Sequence, residues 1–145
     1  MYLTNTSRTA PRRSQLLVSQ APSVRVTAPA QAESVGLLRE CASALFAAWA
    51  MSADAQATAK LVISELLTNA VLHGHDVMTL AIACTGPTLE ITVTDHGQPK
   101  TAIPPPSDPD EHGRGLAIVA AVTHDLQIDE TPRGWRTRAH MKLHS

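Results

Sequence analysis

At 145 residues with 43% hydrophobic side chains, the chain is long enough for one domain with a real core. A single Phe, a single Tyr and two Trp oblige that core to be built from Ala, Val, Ile and Leu. The net charge of −1, from 12 basic and 13 acidic residues, argues against a dedicated nucleic-acid binder. No apolar run approaches the roughly 18 residues that a membrane helix needs. "LLV" at 16–18 is too short for a signal-peptide core, so cytoplasmic placement is expected.

Residues 1–20 hold Arg8, Arg12 and Arg13, no acid and no amphipathic pattern, and read as a flexible basic tail ahead of one domain spanning 21–145. "SVRVTAP" (23–29) alternates Val24 and Val26 with Arg25 and Thr27, a short strand ended by Pro29. From Glu33 to Ala50, Val35, Leu38, Ala42, Leu45, Phe46 and Trp49 recur at helical spacing. "MSAD" then caps a second helix over 54–72, closed by Gly74. "VMTLAIAC" (77–84) and "TLEITVTD" (88–95) read as strands joined at Gly86-Pro87, and Asp95-His96-Gly97 behind them as a turn. Five prolines between Gln98 and His112 forbid a helix interior or a central strand there, which leaves a loop. "GRGLAIVAAV" (113–122) returns to helix, and "DLQIDET" and "GWRTRAHMKL" form a closing strand pair around Pro132-Arg133-Gly134. The order β-α-α-β-β-loop-α-β-β implies an α/β two-layer sandwich, a mostly antiparallel sheet covered on one face by three helices. Cys41 and Cys84, in apolar stretches and without paired spacing, read as reduced core thiols.

Within "SELLTNAVLHG" (64–74), Glu65, Asn69 and His73 recur every four residues, about 40° apart on a helix, and form one shallow polar stripe. Leu61 and Leu72 border it on one side and Val62 and Leu66 on the other, while Lys60, Ser64 and Thr68 mark a solvent side. The ordinary reading is an amphipathic boundary. The functional one is a base and a metal ligand presented together, since a carboxylate inside apolar surroundings needs a partner. Asp95-x-Gly97 is first a turn signal; as a site it supplies a carboxylate for an exocyclic amine and a glycine that admits a flat ring. Gly113-Arg114-Gly115-Leu116, read as a helix entry, offers unpaired N–H groups to an anion. His73-x-His75 with His96 or His112 could clasp zinc, but seven histidines without fixed spacing argue against it.

Glu65-x-x-x-Asn69 on a helix, Asp95-x-Gly97 after a strand, a proline-rich lid and then Gly113-x-Gly115-Leu116 make up, in that order, a pattern that resembles the GHKL (Bergerat-fold) ATP-binding superfamily over residues 21–145. That superfamily includes gyrase, histidine kinases and anti-sigma-factor serine kinases. "SELLTNAVLHG", "GRGL" and the short lid look most like the actinobacterial anti-sigma-factor kinases. Pro99 stands where many relatives carry a second glycine after the aspartate.

The resemblance implies an ATP-dependent protein serine/threonine kinase using ATP and Mg²⁺. In it Asn69 would ligate Mg²⁺ and Glu65 would act as general base on the attacking hydroxyl. His73 would border the nucleotide, Asp95 would read the adenine amine, and Gly97 would make room for the ring. Gly113, Gly115 and Leu116 would wrap the phosphates, with Arg114 either on phosphate or in solvent. Thr137 would support Asp95 through water. The implied partners are a sigma factor and an anti-anti-sigma (STAS-type) protein, without direct nucleic-acid or membrane contact, and a homodimer is left open. An ATP-binding regulator that transfers no phosphate is the alternative.

Overall fold

The computed structural model describes residues 22–99 and 109–143, and of residues 99 and 109–113 the backbone alone. The basic tail and the lid segment 100–108 thus lie outside the described residues. Five strands, β1 (Ser23–Pro29), β2 (His75–Thr85), β3 (Thr88–Pro99), β4 (Asp125–Thr131) and β5 (Gly134–Lys142), form one sheet in the order β1-β2-β3-β5-β4. Every neighbouring pair is antiparallel. Helices α1 (Ala32–Ala48), α2 (Ala53–His73) and α3 (Pro109–Val122) complete the two-layer α/β sandwich. None of the described helices is long and apolar enough to cross a membrane.

The sheet's two faces follow from strand alternation. One face carries the cross-strand rows Val24–Ile82–Ile91–Ala139–Leu126 and Val26–Leu80–Val93–Thr137–Ile128. Leu80, Ile82, Ile91, Val93 and Ala139 of these rows are buried against Leu38, Ala42 and Phe46 of α1 and Ala59, Val62, Ile63, Leu66, Leu67 and Ala70 of α2. The other face carries Arg25–Ala81–Thr92–Arg138–Gln127 and Thr27–Thr79–Thr94–Arg136–Asp129, where Thr27 and Thr79 share a 2.8 Å hydroxyl hydrogen bond. The cap expected in "MSAD" is Ser52, whose side chain accepts from the Ala55 amide at 3.1 Å. Both tight hairpins are present: Thr85 pairs Thr88 around Gly86-Pro87, and Thr131 pairs Gly134 around Pro132-Arg133.

Five expectations need correction. The turn at Asp95-His96-Gly97 is instead a β-bulge within β3: pairing passes from Val77–His96 to His75–Pro99, and Gly97 takes up the extra length at φ 97°. Asp76 Oδ1 accepts the Gln98 N–H there at 2.9 Å, so pairing continues to Pro99. Gly113-Arg114-Gly115 does not open a helix, because α3 starts at Pro109. A proline in the first turn followed by Asp110 and Glu111 suits a helix N-terminus, which carries partial positive charge.

Cys41 is exposed, being on the arc of α1 away from Leu38, Ala42 and Phe46, while Cys84 is half-buried against the core. Finally, Leu61 and Leu72 are 38% and 47% exposed, so apolar surroundings enclose the polar stripe of α2 on one side only. Ser64, expected in solvent, is half-buried and accepts from Arg39 Nη1 of α1 at 3.2 Å. The neighbour that covers each arc of the helix decided this.

Candidate functional site

A cavity of about 290 Å³ opens between α2, α3 and the β3–β5–β4 end of the sheet. Helix α2 lines it with Leu66, Asn69, Ala70 and His73, one and two turns apart on one face, and ends over it at Gly74. The floor is the row Val93–Thr137–Ile128 across three strands, extended by Asp95, two residues beyond Val93 and so on the same face. Trp135 closes one side and Leu116 of α3 another.

Asp95 is the focus of the polar contacts. Only 5% exposed, it receives three N–H groups on one carboxylate oxygen, Oδ1: the His75 amide at 3.2 Å, His75 Nδ1 at 2.7 Å and the Trp135 amide at 3.3 Å. These donors offset the desolvation of a buried carboxylate. Among the described residues no donor is hydrogen-bonded to Oδ2.

Two glycines make the room. A Cβ at Gly74 would stand 2.6 Å from the Ala70 carbonyl oxygen, 2.7 Å from Asp95 Cγ and 2.8 Å from Asp95 Oδ2. At Gly134 it would run into the Asp95 carbonyl oxygen and Oδ1. The chain needs glycine at both because the end of α2 and the start of β5 press directly on Asp95.

The fold brings Asn69, His73, Asp95, Leu116 and Thr137 to one cavity, although 68 residues separate the first from the last. Thr137 is buried at 7% exposure between Val93 and Ile128 in the cross-strand register. Glu65 is half-buried one turn before Asn69 and outside the cavity lining; a Cβ on Gly115 would sit 2.7 Å from its Oε2. Gly115 therefore lets the Glu65 carboxylate approach the α3 backbone.

Gly113, Arg114 and Gly115 lie inside α3, and Arg114 is exposed. Gly97 borders a neighbouring, more open hollow of about 630 Å³ with His75, His96, Arg133 and Trp135, and its Cα abuts Asp76. Sequence reasoning missed Gly74, His75, Gly134, Trp135 and Ile128 as parts of the site. Gly74 and Gly134 carried a signal, but one that also marks any helix stop or hairpin.

The model of the histidine kinase-like ATPase domain matches residues 28–141, most of the chain. The chain belongs to this family. The cavity around Asp95 is the candidate ATP site of such a domain. The fold is also that of a solved structure, the RsbU and RsbW domains of Rv1364c from Mycobacterium tuberculosis, with a TM-score of 0.63 and 22% identity. The match covers 84% of this chain and 32% of that one, so this chain spans about a third of its length. No curated protein matches the chain.

The residues present fit the nucleotide of such a domain. A buried, oriented carboxylate whose described hydrogen bonds all fall on one oxygen suits an exocyclic amine, and Leu66, Val93, Leu116, Ile128 and Trp135 give a purine apolar walls. The volume is at the low end for ligand pockets and matches the base-bearing part of a nucleotide. For Mg²⁺, Asn69 is the donor on offer, and the described residues hold no cluster of three or more ligating side chains. This agrees with the habit of Mg²⁺ of taking one or two protein ligands and completing its shell with phosphate and water.

Proposed function

We propose that this ATPase-family domain is a protein serine/threonine kinase of the anti-sigma-factor type. It binds Mg-ATP with Asp95 reading the adenine amine and Asn69 holding the metal. It phosphorylates an anti-anti-sigma protein of STAS type, and it sequesters a sigma factor in the cytoplasm. The observation that carries the reading is Glu65, a carboxylate one helical turn before Asn69, which itself lines the candidate nucleotide cavity. Nucleotide binding alone has no use for a base there. In the transfer, Glu65 takes the proton of the acceptor hydroxyl as its oxygen bonds the γ-phosphorus and ADP departs. The added phosphate then parts antagonist from kinase by charge and clash, which frees the shared surface for the sigma factor. The fold shared with the RsbU and RsbW domains supports this reading.

A regulator that binds ATP without transfer is the second reading. Two observations favour it: Glu65 rests against Gly115 outside the cavity lining, and α3 takes up the backbone of Gly113–Gly115 that would otherwise meet phosphate.

Labelled γ-phosphate separates the two when the protein is incubated with antagonists encoded alongside it. Glu65→Gln keeps the shape and removes proton acceptance, so ATP affinity holds while transfer falls by roughly 10²–10⁴-fold. Asn69→Ala loses both binding and transfer. Wild-type transfer by Glu65→Gln removes the base role, and an unmodified protein that binds ATP and sigma factor but labels no antagonist replaces kinase by binding module.

A further inference from the structure

The reading of Asp95 as the adenine-selecting carboxylate leaves open what holds that carboxylate in position, and the structure points to a residue outside the family pattern. We infer that His75 is the positioning residue for nucleotide selection: its imidazole locks the Asp95 carboxylate so that Oδ2 is presented to the exocyclic amine of adenine. The inference rests on the ATP reading of the cavity and deepens it.

The geometry is specific. Gly74 alone joins the end of α2 to the start of β2, so His75 follows the helix cap immediately and lies beside Asp95. Its backbone N–H and its Nδ1 reach the same oxygen, at 3.2 and 2.7 Å. Against a carboxylate Nδ1 carries the proton and donates in both the neutral and the charged imidazole, so the bond persists either way. The 2.7 Å separation is that of a charge-assisted hydrogen bond.

The two backbone donors to Oδ1, from His75 and Trp135, are longer, at 3.2 and 3.3 Å, and fixed by the sheet. The imidazole thus makes the shortest of the described hydrogen bonds to the carboxylate and is the one side chain among those partners. A carboxylate held through one oxygen turns about its Cβ–Cγ bond with difficulty. Asp95 therefore meets the ligand already oriented, and the ordering cost on binding falls. At 21% side-chain exposure the imidazole is shielded from most competing water. His75 lines the neighbouring hollow and is not itself among the residues that line the candidate nucleotide cavity, which it meets through Asp95.

The test compares His75→Ala and His75→Asn with wild type, measuring affinity for Mg-ATP and Mg-ITP by calorimetry and the thermal unfolding midpoint of each variant. Inosine carries a carbonyl where adenine carries the amine, so the exocyclic donor to Oδ2 is missing. Asparagine places its Nδ2 where histidine has Nδ1, and so restores the donor without the ring. The expected result is an approximately tenfold loss of ATP affinity in His75→Ala with ITP affinity nearly unchanged, and recovery of ATP affinity in His75→Asn. Wild-type ATP affinity and preference in His75→Ala would overturn the inference. So would an equal loss for both nucleotides, which marks a structural role, or an asparagine variant as weak as the alanine one. Asp95→Asn in the same series checks the underlying reading: if it binds ATP like wild type, Asp95 does not select adenine and the role of His75 falls with it.

Discussion

At the scale of single residues, the site depends on one crowded carboxylate. Asp95 is buried, takes three N–H groups on Oδ1 and is flanked by two glycines that admit nothing larger. Asp95→Asn keeps the shape but replaces an acceptor with a donor for one of its oxygens. ATP binding should weaken about tenfold or more while the fold remains, read by calorimetry together with far-UV circular dichroism.

Gly74→Ala should act through sterics instead. Its methyl would enter a space already occupied at 2.6–2.8 Å by the Ala70 carbonyl and the Asp95 carboxylate, two groups that cannot both give way. A loss of about 1–3 kcal/mol in stability is expected from denaturant titration, along with weakened ATP binding. Full stability and affinity in that variant would show that the end of α2 has slack the geometry does not suggest.

At the scale of elements, the cavity is assembled by three connections: α2 to β2 through one glycine, β3 to β5 by register, and β5 to β4 by the Pro132-Arg133 turn. The closing hairpin is more than an edge, since it supplies Ile128, Trp135 and Thr137. Trp135 is 43% exposed and lines the cavity, while Trp49 sits away from it against Phe46, with ring centroids 6.4 Å apart. Mg-ATP should therefore change the emission of one tryptophan and not of the other. Trp135→Phe should abolish the response and Trp49→Phe should keep it, in a fluorescence titration. A response that survives Trp135→Phe would place the nucleotide elsewhere.

At the scale of the whole molecule, a five-stranded antiparallel sheet and three helices enclose a single core, with the cavity at one end between the layers. A ligand bridging α2, α3 and the sheet binds the folded chain alone and stabilises it by mass action. At a Mg-ATP concentration about 100 times its Kd this amounts to about 2.7 kcal/mol. For a domain of this size the midpoint should rise by about 10 °C in a thermal melt. Asp95→Asn at the same concentration should show about half that shift, because stabilisation follows the logarithm of affinity. An unshifted melt of the unmodified protein would contradict nucleotide binding in the cavity.

Strand alternation in "SVRVTAP", the helical spacing of Leu38, Ala42 and Phe46 and the cap at Ser52 are local signals, and they were legible because period, cap and turn act within a few residues. The candidate residues Asn69, Asp95, Leu116 and Thr137 were legible too, through order and type, and they share one cavity. The arc of each helix that is covered was not legible. Leu61, Leu72 and Cys41 are apolar by type yet face solvent, since a wheel gives angles and no neighbours. Nor were the bulge at Gly97 and the start of α3 at Pro109, where strand pairing and a first turn that suits proline and acids outweighed a glycine's preference for turns. The cradle of Asp95 lay furthest from local rules. His75 is 20 residues before it and Trp135 is 40 after, and only the register of β2, β3 and β5 sets those backbones against one carboxylate. Local chemistry chooses the elements; which atoms meet inside a buried site depends on how distant elements pack, because burial and hydrogen bonding there are shared by all of them.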